Sequence, residues 1–133
     1  MGFKKTASSL KEIELQIVAS KHGFTPMVLS SEGLEFEMVD IHAPCLADVY
    51  GEDPNKLPKW IWDQIIHMLV TLYDCDGIEY IDITPYNFIE RDGKLWIIDF
   101  GHAFYTGSSG TPSNWFLRDL LDGGERAWNP DFN

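Results

Sequence analysis

Asp82, Asn87 and Asp99 are three oxygen-bearing side chains that a single turn would bring together. Arg91-Asp92-Gly93 contains Asp-Gly, a strong hairpin signal, between the apolar-rich runs Tyr86 to Glu90 and Lys94 to Ile98. An antiparallel hairpin centred near Gly93 sets Asn87, at the start of its first strand, almost opposite Asp99, just past the end of its second. The expected separation is roughly the 5 Å of neighbouring strands. Asp82 sits in the loop that feeds this hairpin. Hard oxygen donors of this kind suit Mg²⁺, which binds through few protein ligands together with phosphates. Each residue alone reads as a turn former, because Asp and Asn bond their own backbone in turns. Their joint spacing points instead to a phosphate-and-metal site.

The elements that must hold these residues are legible in outline. Ser9-Leu10-Lys11-Glu12 is a capping box, in which hydroxyl and carboxylate satisfy free N–H groups at a helix start. Leu10, Ile13, Ile17 and Val18 then recur at helical spacing, and Gly23 closes a helix over about residues 10–22. Residues 27–29 and 34–41 read as a hairpin turning near Glu32-Gly33, with Leu34, Phe36 and Met38 on its buried face. Pro44 to Tyr50 reads as a short helix. The longest helix spans about residues 59–75, with Trp60, Ile61, Ile65, Met68, Leu69 and Leu72 as a broad apolar stripe, ended by Gly77. Ile78 to Pro85 is a loop. A last helix runs over about 112–121, opened by Thr111 and Pro112. Trp60, Trp62 and Trp96 are assigned to the core, while Trp115, Phe116 and Trp128 cover the core or meet a partner.

With these elements in view, Asp82-Ile83-Thr84-Pro85-Tyr86-Asn87 followed by Asp99-Phe100-Gly101 resembles the catalytic loop and the D-F-G motif of protein kinases. The wording is closest to compact atypical kinases of the Rio and Bud types and to small phosphotransferases. The resemblance implies an α+β, truncated protein-kinase-like fold. Its reduced N-terminal lobe would hold helix C and short antiparallel strands. Its minimal helical C-terminal lobe would carry the catalytic hairpin. It implies an ATP- and Mg²⁺-dependent phosphotransferase acting on a hydroxyl acceptor, protein or small molecule. Asp82 would then orient the acceptor hydroxyl and take its proton. Asn87 and Asp99 would hold Mg²⁺. Val39, Asp40, Ile41 and His42 would form the hinge against adenine, with Val39 near the gatekeeper position. Glu14 would be the glutamate of helix C. Phe100 would pack against that helix, and Gly101 would allow the backbone to turn.

The sequence departs from that family in several places. Only nine residues precede Leu10, which leaves no room for a glycine-rich loop. A phosphate-gripping strand lysine is not identifiable: Lys4 and Lys5 stand too close in sequence to the helix for the usual arrangement, and either is a candidate substitute. Tyr80 and Ile81 replace the usual His and Arg, which removes the partner of a phosphorylated activation loop. Two rival readings follow: a pseudokinase that binds or scaffolds without chemistry, and a small-molecule kinase of aminoglycoside-phosphotransferase type. His102, just after D-F-G, reads as a structural histidine. His22, His42 and His67 receive no side-chain role.

Length and composition bound the rest. The 133 residues form one domain, and 44% apolar with 14% aromatic content supports a core. A net charge of −11 with no Lys/Arg run argues against nucleic-acid binding. Cys45 and Cys75 read as reduced thiols of a cytoplasmic protein. No membrane-spanning run or signal peptide is visible, and the N-myristoylation-like start Met1 to Thr6 reads as chance. A lobe this small would expose apolar surface that a homodimer would bury.

Overall fold

The computed structural model describes residues 2–132. It is a mixed α+β structure with four α-helices and three small antiparallel sheets among the described residues. The first sheet has the order β1-β3-β2, from Gly2–Thr6, Glu35–Val39 and Val28–Glu32. Strand β1 was not anticipated from the sequence. It is an edge strand, running from Gly2 opposite Val39 to Thr6 opposite Glu35. Three residues separate it from α1 (Leu10–Ser20), so the strand and the helix that follows are tightly coupled.

The capping box forms in part as expected. Ser9 Oγ accepts the Glu12 N–H at 3.3 Å, while the Glu12 carboxylate reaches back to Ser8, accepting its N–H at 2.9 Å and its hydroxyl at 3.0 Å. The buried face of α1 differs from the apolar periodicity. Glu12, Ile13, Leu15, Gln16 and Ala19 face inward, while Leu10 and Ile17 are exposed. Two polar residues can occupy the inner face because each finds a partner there. Gln16 Nε2 donates to the Pro26 carbonyl at 2.9 Å, and Glu12 belongs to the site described below. In β3, Phe36 and Met38 are buried as the alternation requires, while Leu34 lies just before the strand and is exposed.

Helix α2 covers Leu46–Tyr50 and α3 covers Lys59–Asp76. In α3, Ile61, Trp62, Ile65, Met68, Leu69 and Leu72 are buried, which places this helix at the centre of the main core. Trp60 falls outside that face in the first turn and is exposed. Gly77 ends the helix in the left-handed conformation, at φ 65°. The chain then forms β4 (Ile78–Glu79), the hairpin β5 (Phe88–Arg91) and β6 (Lys94–Ile97), β7 (Phe104–Tyr105) and α4 (Trp115–Leu121). Asp92 and Gly93 both have positive φ, as a two-residue hairpin turn demands. Within β6, Leu95 and Ile97 are buried while Trp96 points outward under Lys94 Nζ, 3.9 Å from its ring centre, so Trp96 is not core. Helix α4 starts later than its proline suggested, because Asn114 is the cap and accepts the Phe116 and Leu117 N–H groups.

The segment between α1 and β2 is stitched to the end of the β5–β6 hairpin near Asp99. Ile97 N–H donates to the Phe24 carbonyl at 2.7 Å, and Thr25 Oγ1 donates to the Ile97 carbonyl at 2.6 Å. No helix among the described residues is long and apolar enough to cross a membrane. Met1, the first residue of the myristoylation-like pattern, lies outside the described residues.

Candidate active site

The hairpin delivers Asn87 and Asp99 to one end, as its turn requires. Phe88 pairs with Ile97, and the ladder continues with Ile98 N–H donating to the Asn87 carbonyl at 3.0 Å. Asn87 therefore opposes Ile98, with Asp99 one step further on. Asn87 Nδ2 donates to the Asp82 carbonyl at 2.9 Å, which ties the preceding loop to the hairpin. The loop and the hairpin end thus meet through the Asp82 backbone carbonyl, and of the three residues only Asn87 and Asp99 line the cleft there.

Asn87 and Asp99 face a cleft of about 560 Å³ between β1 and the hairpin. Its walls include Phe3, Lys5, Met38, Ile89 and Ile98, and Val39, Asp40 and Ile41 close one side. His42 does not line this cleft. Asp40 accepts the His42 N–H at 2.9 Å in a local turn, and the His42 ring is exposed. The Val39 N–H is spent on the Met27 carbonyl at 2.9 Å, and the Ile41 carbonyl accepts from the Arg91 guanidinium. These two backbone groups of the hinge segment are thus already engaged. A hollow of about 580 Å³ lies over the strand residues Ser30 to Glu37 beside Lys4 and Lys5. It contains neither Asn87 nor Asp99, so the cleft is the candidate site.

Of the two candidate lysines, Lys5 on β1 is the one at the site; the strand that carries it and its pairing with Glu12 are what sequence reasoning missed. Its ammonium lies 2.9 Å from Glu12 Oε2 and 3.5 Å from Asp99 Oδ1. The helix carboxylate in this pair is Glu12, one turn into α1. Glu14 points to the exposed side of the helix, beside Tyr105. The reason lies in the register of α1: Glu12 shares the inner face with Leu15, Gln16 and Ala19, and Glu14 does not. The capping box was the available signal, since it marks Glu12 as a carboxylate held at the helix start. Burial alone would raise the Glu12 carboxyl. Lys5 and the two Ser8 donors outweigh it and hold the group below its ordinary value.

Asp82 is buried. Burial raises its carboxyl above the ordinary range. His102 opposes this, Asp99 adds to it, and Asn87 and Lys5 oppose it without cancelling it. A carboxylate made more basic in this way is suited to accept a proton. Asp99 is partly exposed and accepts the Gly101 N–H at 2.8 Å. Gly101 is not a positive-φ glycine, so its role is space rather than turning. A Cβ there would stand 3.1 Å from Asp99 Oδ1 and 3.4 Å from Glu12 Oε1. Phe100 is fully buried, in the same cluster as Leu15 and Ala19 of α1 and edge-on to Tyr80 at 5.2 Å.

The donor set can be tested against a divalent cation. Among the described residues no group of three or more His, Cys, Asp or Glu side chains is arranged to hold a metal ion. At the hairpin end the cleft offers one amide oxygen, from Asn87, and one carboxylate, from Asp99, while Asp40 lines its opposite side. With the Asn87 amide nitrogen turned to Asp82, its oxygen is the remaining donor. That pair fits Mg²⁺ where phosphates complete the shell, and does not fit a cation held by protein alone. No protein-family model and no curated protein compared with this chain matches it.

Proposed function

We propose that this chain is a minimal, protein-kinase-like phosphotransferase that uses ATP and Mg²⁺ to phosphorylate a hydroxyl acceptor. The observation that supports it best is Lys5, held between Glu12 and Asp99 at the rim of the cleft that contains Asn87. Phosphoryl transfer is positioning plus charge stabilisation. It calls for a strand lysine paired to a helix carboxylate, a metal-holding acid and amide, and an acid at the nucleophile. In this reading Lys5 grips phosphate and Glu12 orients it. Asn87 and Asp99 would hold Mg²⁺, which neutralises phosphate charge when bound. Adenine would enter between Val39–Ile41 and the floor formed by Ile89 and Ile98.

Asp82 accepts the proton of the acceptor hydroxyl as its oxygen bonds to the γ-phosphorus. The bond from the γ-phosphorus to the bridging oxygen breaks, and its electron pair leaves with ADP. The fold would be a kinase lobe pair cut to one three-stranded sheet, one helix and the catalytic hairpin, working in the ATP-supplied cytoplasm.

One observation favours a rival, a pseudokinase that binds without chemistry. Strand β1 is a sheet edge and no glycine-rich hairpin covers the cleft among the described residues. A thermal-shift titration with ATP, with and without Mg²⁺, together with transfer of label from γ-³²P-ATP, separates the two. The phosphotransferase reading expects a Mg²⁺-dependent shift lost in Asp99→Asn, and labelling lost in Asp82→Ala. A shift without labelling selects the binding module. Absence of any shift removes the nucleotide from both.

A further inference from the structure

The chain after α4 turns back onto the loop that carries Asp82. Trp128 is buried against Trp62, ring centres 4.8 Å apart, and its indole N–H donates to the Glu52 carbonyl at 2.9 Å. The next residue, Asn129, is fully buried. Its backbone N–H donates to the Ile83 carbonyl at 2.9 Å, and its side-chain Nδ2 donates to the Ile81 carbonyl at 2.9 Å. Its Oδ1 accepts the Asp131 N–H at 3.0 Å, which fixes which way the amide faces. One residue therefore holds the carbonyls on both sides of Asp82. The carbonyl between them, that of Asp82 itself, accepts from Asn87 Nδ2 and from Thr84 N–H.

Residues 80–83 belong to no helix or strand. The direction of the Asp82 side chain is thus set by these few bonds, in place of a ladder or a helix. We propose that Asn129 is a positioning residue that fixes the Asp82 carboxylate for phosphoryl transfer, and that the returning tail is part of the catalytic apparatus. This rests on the phosphotransferase reading for the reaction, while the clamp itself can be judged apart from it. Displacing a reacting group by about an ångström costs up to roughly 100-fold in rate, whereas nucleotide affinity would depend on Lys5, Asn87 and Asp99, to which residues 127–132 make no hydrogen bond or ion pair among the described residues.

The test uses the full chain with Mg²⁺-ATP, reading hydrolysis and self-labelling, in Asn129→Asp and Asn129→Ala. Asn129→Asp keeps the acceptor for Asp131 but turns a buried carboxylate toward the Ile81 carbonyl, while Asn129→Ala removes the donor without adding charge. Expected is a turnover lower by roughly 10- to 100-fold with Mg²⁺-ATP affinity within about twofold. The Asp82 carboxyl titration, followed by ¹³C NMR, is expected to move. A folded variant with unchanged turnover and unchanged Asp82 titration overturns the proposal. So does a parallel loss of affinity, turnover and melting temperature, which marks a merely structural residue. Native-state hydrogen exchange on the unaltered chain needs no variant. The clamp expects the Asn129 N–H among the slow amides, and fast exchange there overturns it. If the unaltered chain transfers no phosphate, the phosphotransferase reading fails, and the clamp stands or falls on the exchange rate of the Asn129 N–H.

Discussion

Lys5 and Glu12 join an edge strand to the helix that follows it, ammonium to carboxylate at 2.9 Å, with Asp99 a further 3.5 Å from the same nitrogen. Glu12 is almost wholly buried, at 3% exposure, and Lys5 retains 22%. The pair thus sits where water screens it only in part, and it links the first sheet, α1 and the end of the β5–β6 hairpin through one cation.

Lys5→Met should destabilise the protein by about 2 kcal/mol. That is less than the 3–5 kcal/mol of a fully buried pair, because the exposed part of Lys5 admits screening. The Glu12 carboxyl lies below its ordinary value, so its contribution is present above about pH 4.5 and is lost as pH falls through the folded-state value. Urea unfolding at several pH values checks both points. In Lys5→Met the part of the acid-range slope due to Glu12 should shrink.

Asp82 has the opposite sign. Its carboxyl is raised, so the folded state binds the proton more tightly than the unfolded chain. Stability from this group is greatest below the ordinary value of 3.8 and falls as pH rises through the higher folded-state value. Asp82→Asn should therefore stabilise the protein at neutral pH, by about 0.5–2 kcal/mol, and under the proposed phosphotransferase function it should also abolish transfer. Thermal melts at pH 7 and near pH 3 read this, with the gain present only at the higher pH.

Glu79 is a buried carboxylate that forms no ion pair among the described residues. It accepts from Thr106 Oγ1 at 2.6 Å, Ser113 N–H at 2.9 Å, Ser113 Oγ at 2.8 Å and Asn114 N–H at 2.9 Å. Burial pushes the carboxyl up, and these donors outweigh it and hold the group below its ordinary value. Glu79→Gln replaces one acceptor with a donor facing donors. The expected cost is about 2–3 kcal/mol by chemical denaturation, with segment 106–114 the first to lose protection from exchange.

Tyr80 is fully buried two residues before Asp82. Its ring is buried between Phe88 and Phe100, and its hydroxyl meets no protein partner among the described residues. Tyr80→Phe keeps the packing and removes a desolvated hydroxyl, so stability should be unchanged or raised by about 1 kcal/mol. A loss beyond 1 kcal/mol in a denaturant titration would contradict this account of the ring.

Interactions between neighbours in the chain were legible in the sequence. Asp92-Gly93 sets a turn through its own backbone preferences, and that turn alone places Asn87 near Asp99. The apolar stripe of α3 and the cap at Ser9 are equally local, because helical period and capping involve residues within one or two turns. The partner of Lys5 was not legible. A capping glutamate and a pairing glutamate look alike in sequence, and only the packing of α1 against Pro26 and Met38 turns Glu12 inward and leaves Glu14 outside. The same holds for Leu10, Ile17, Trp60 and Trp96, apolar residues for which the fold found no second surface.

Asn129 is the extreme case. Its grip on Ile81 and Ile83 joins residues nearly fifty positions apart, and nothing in its own neighbourhood encodes it. The sequence by itself determined which acid, amide and turn would meet, because a hairpin is closed by a few adjacent residues. The tertiary structure decided which lysine and which glutamate complete the site and what holds Asp82 still. Those choices depend on which faces of distant elements are buried against each other.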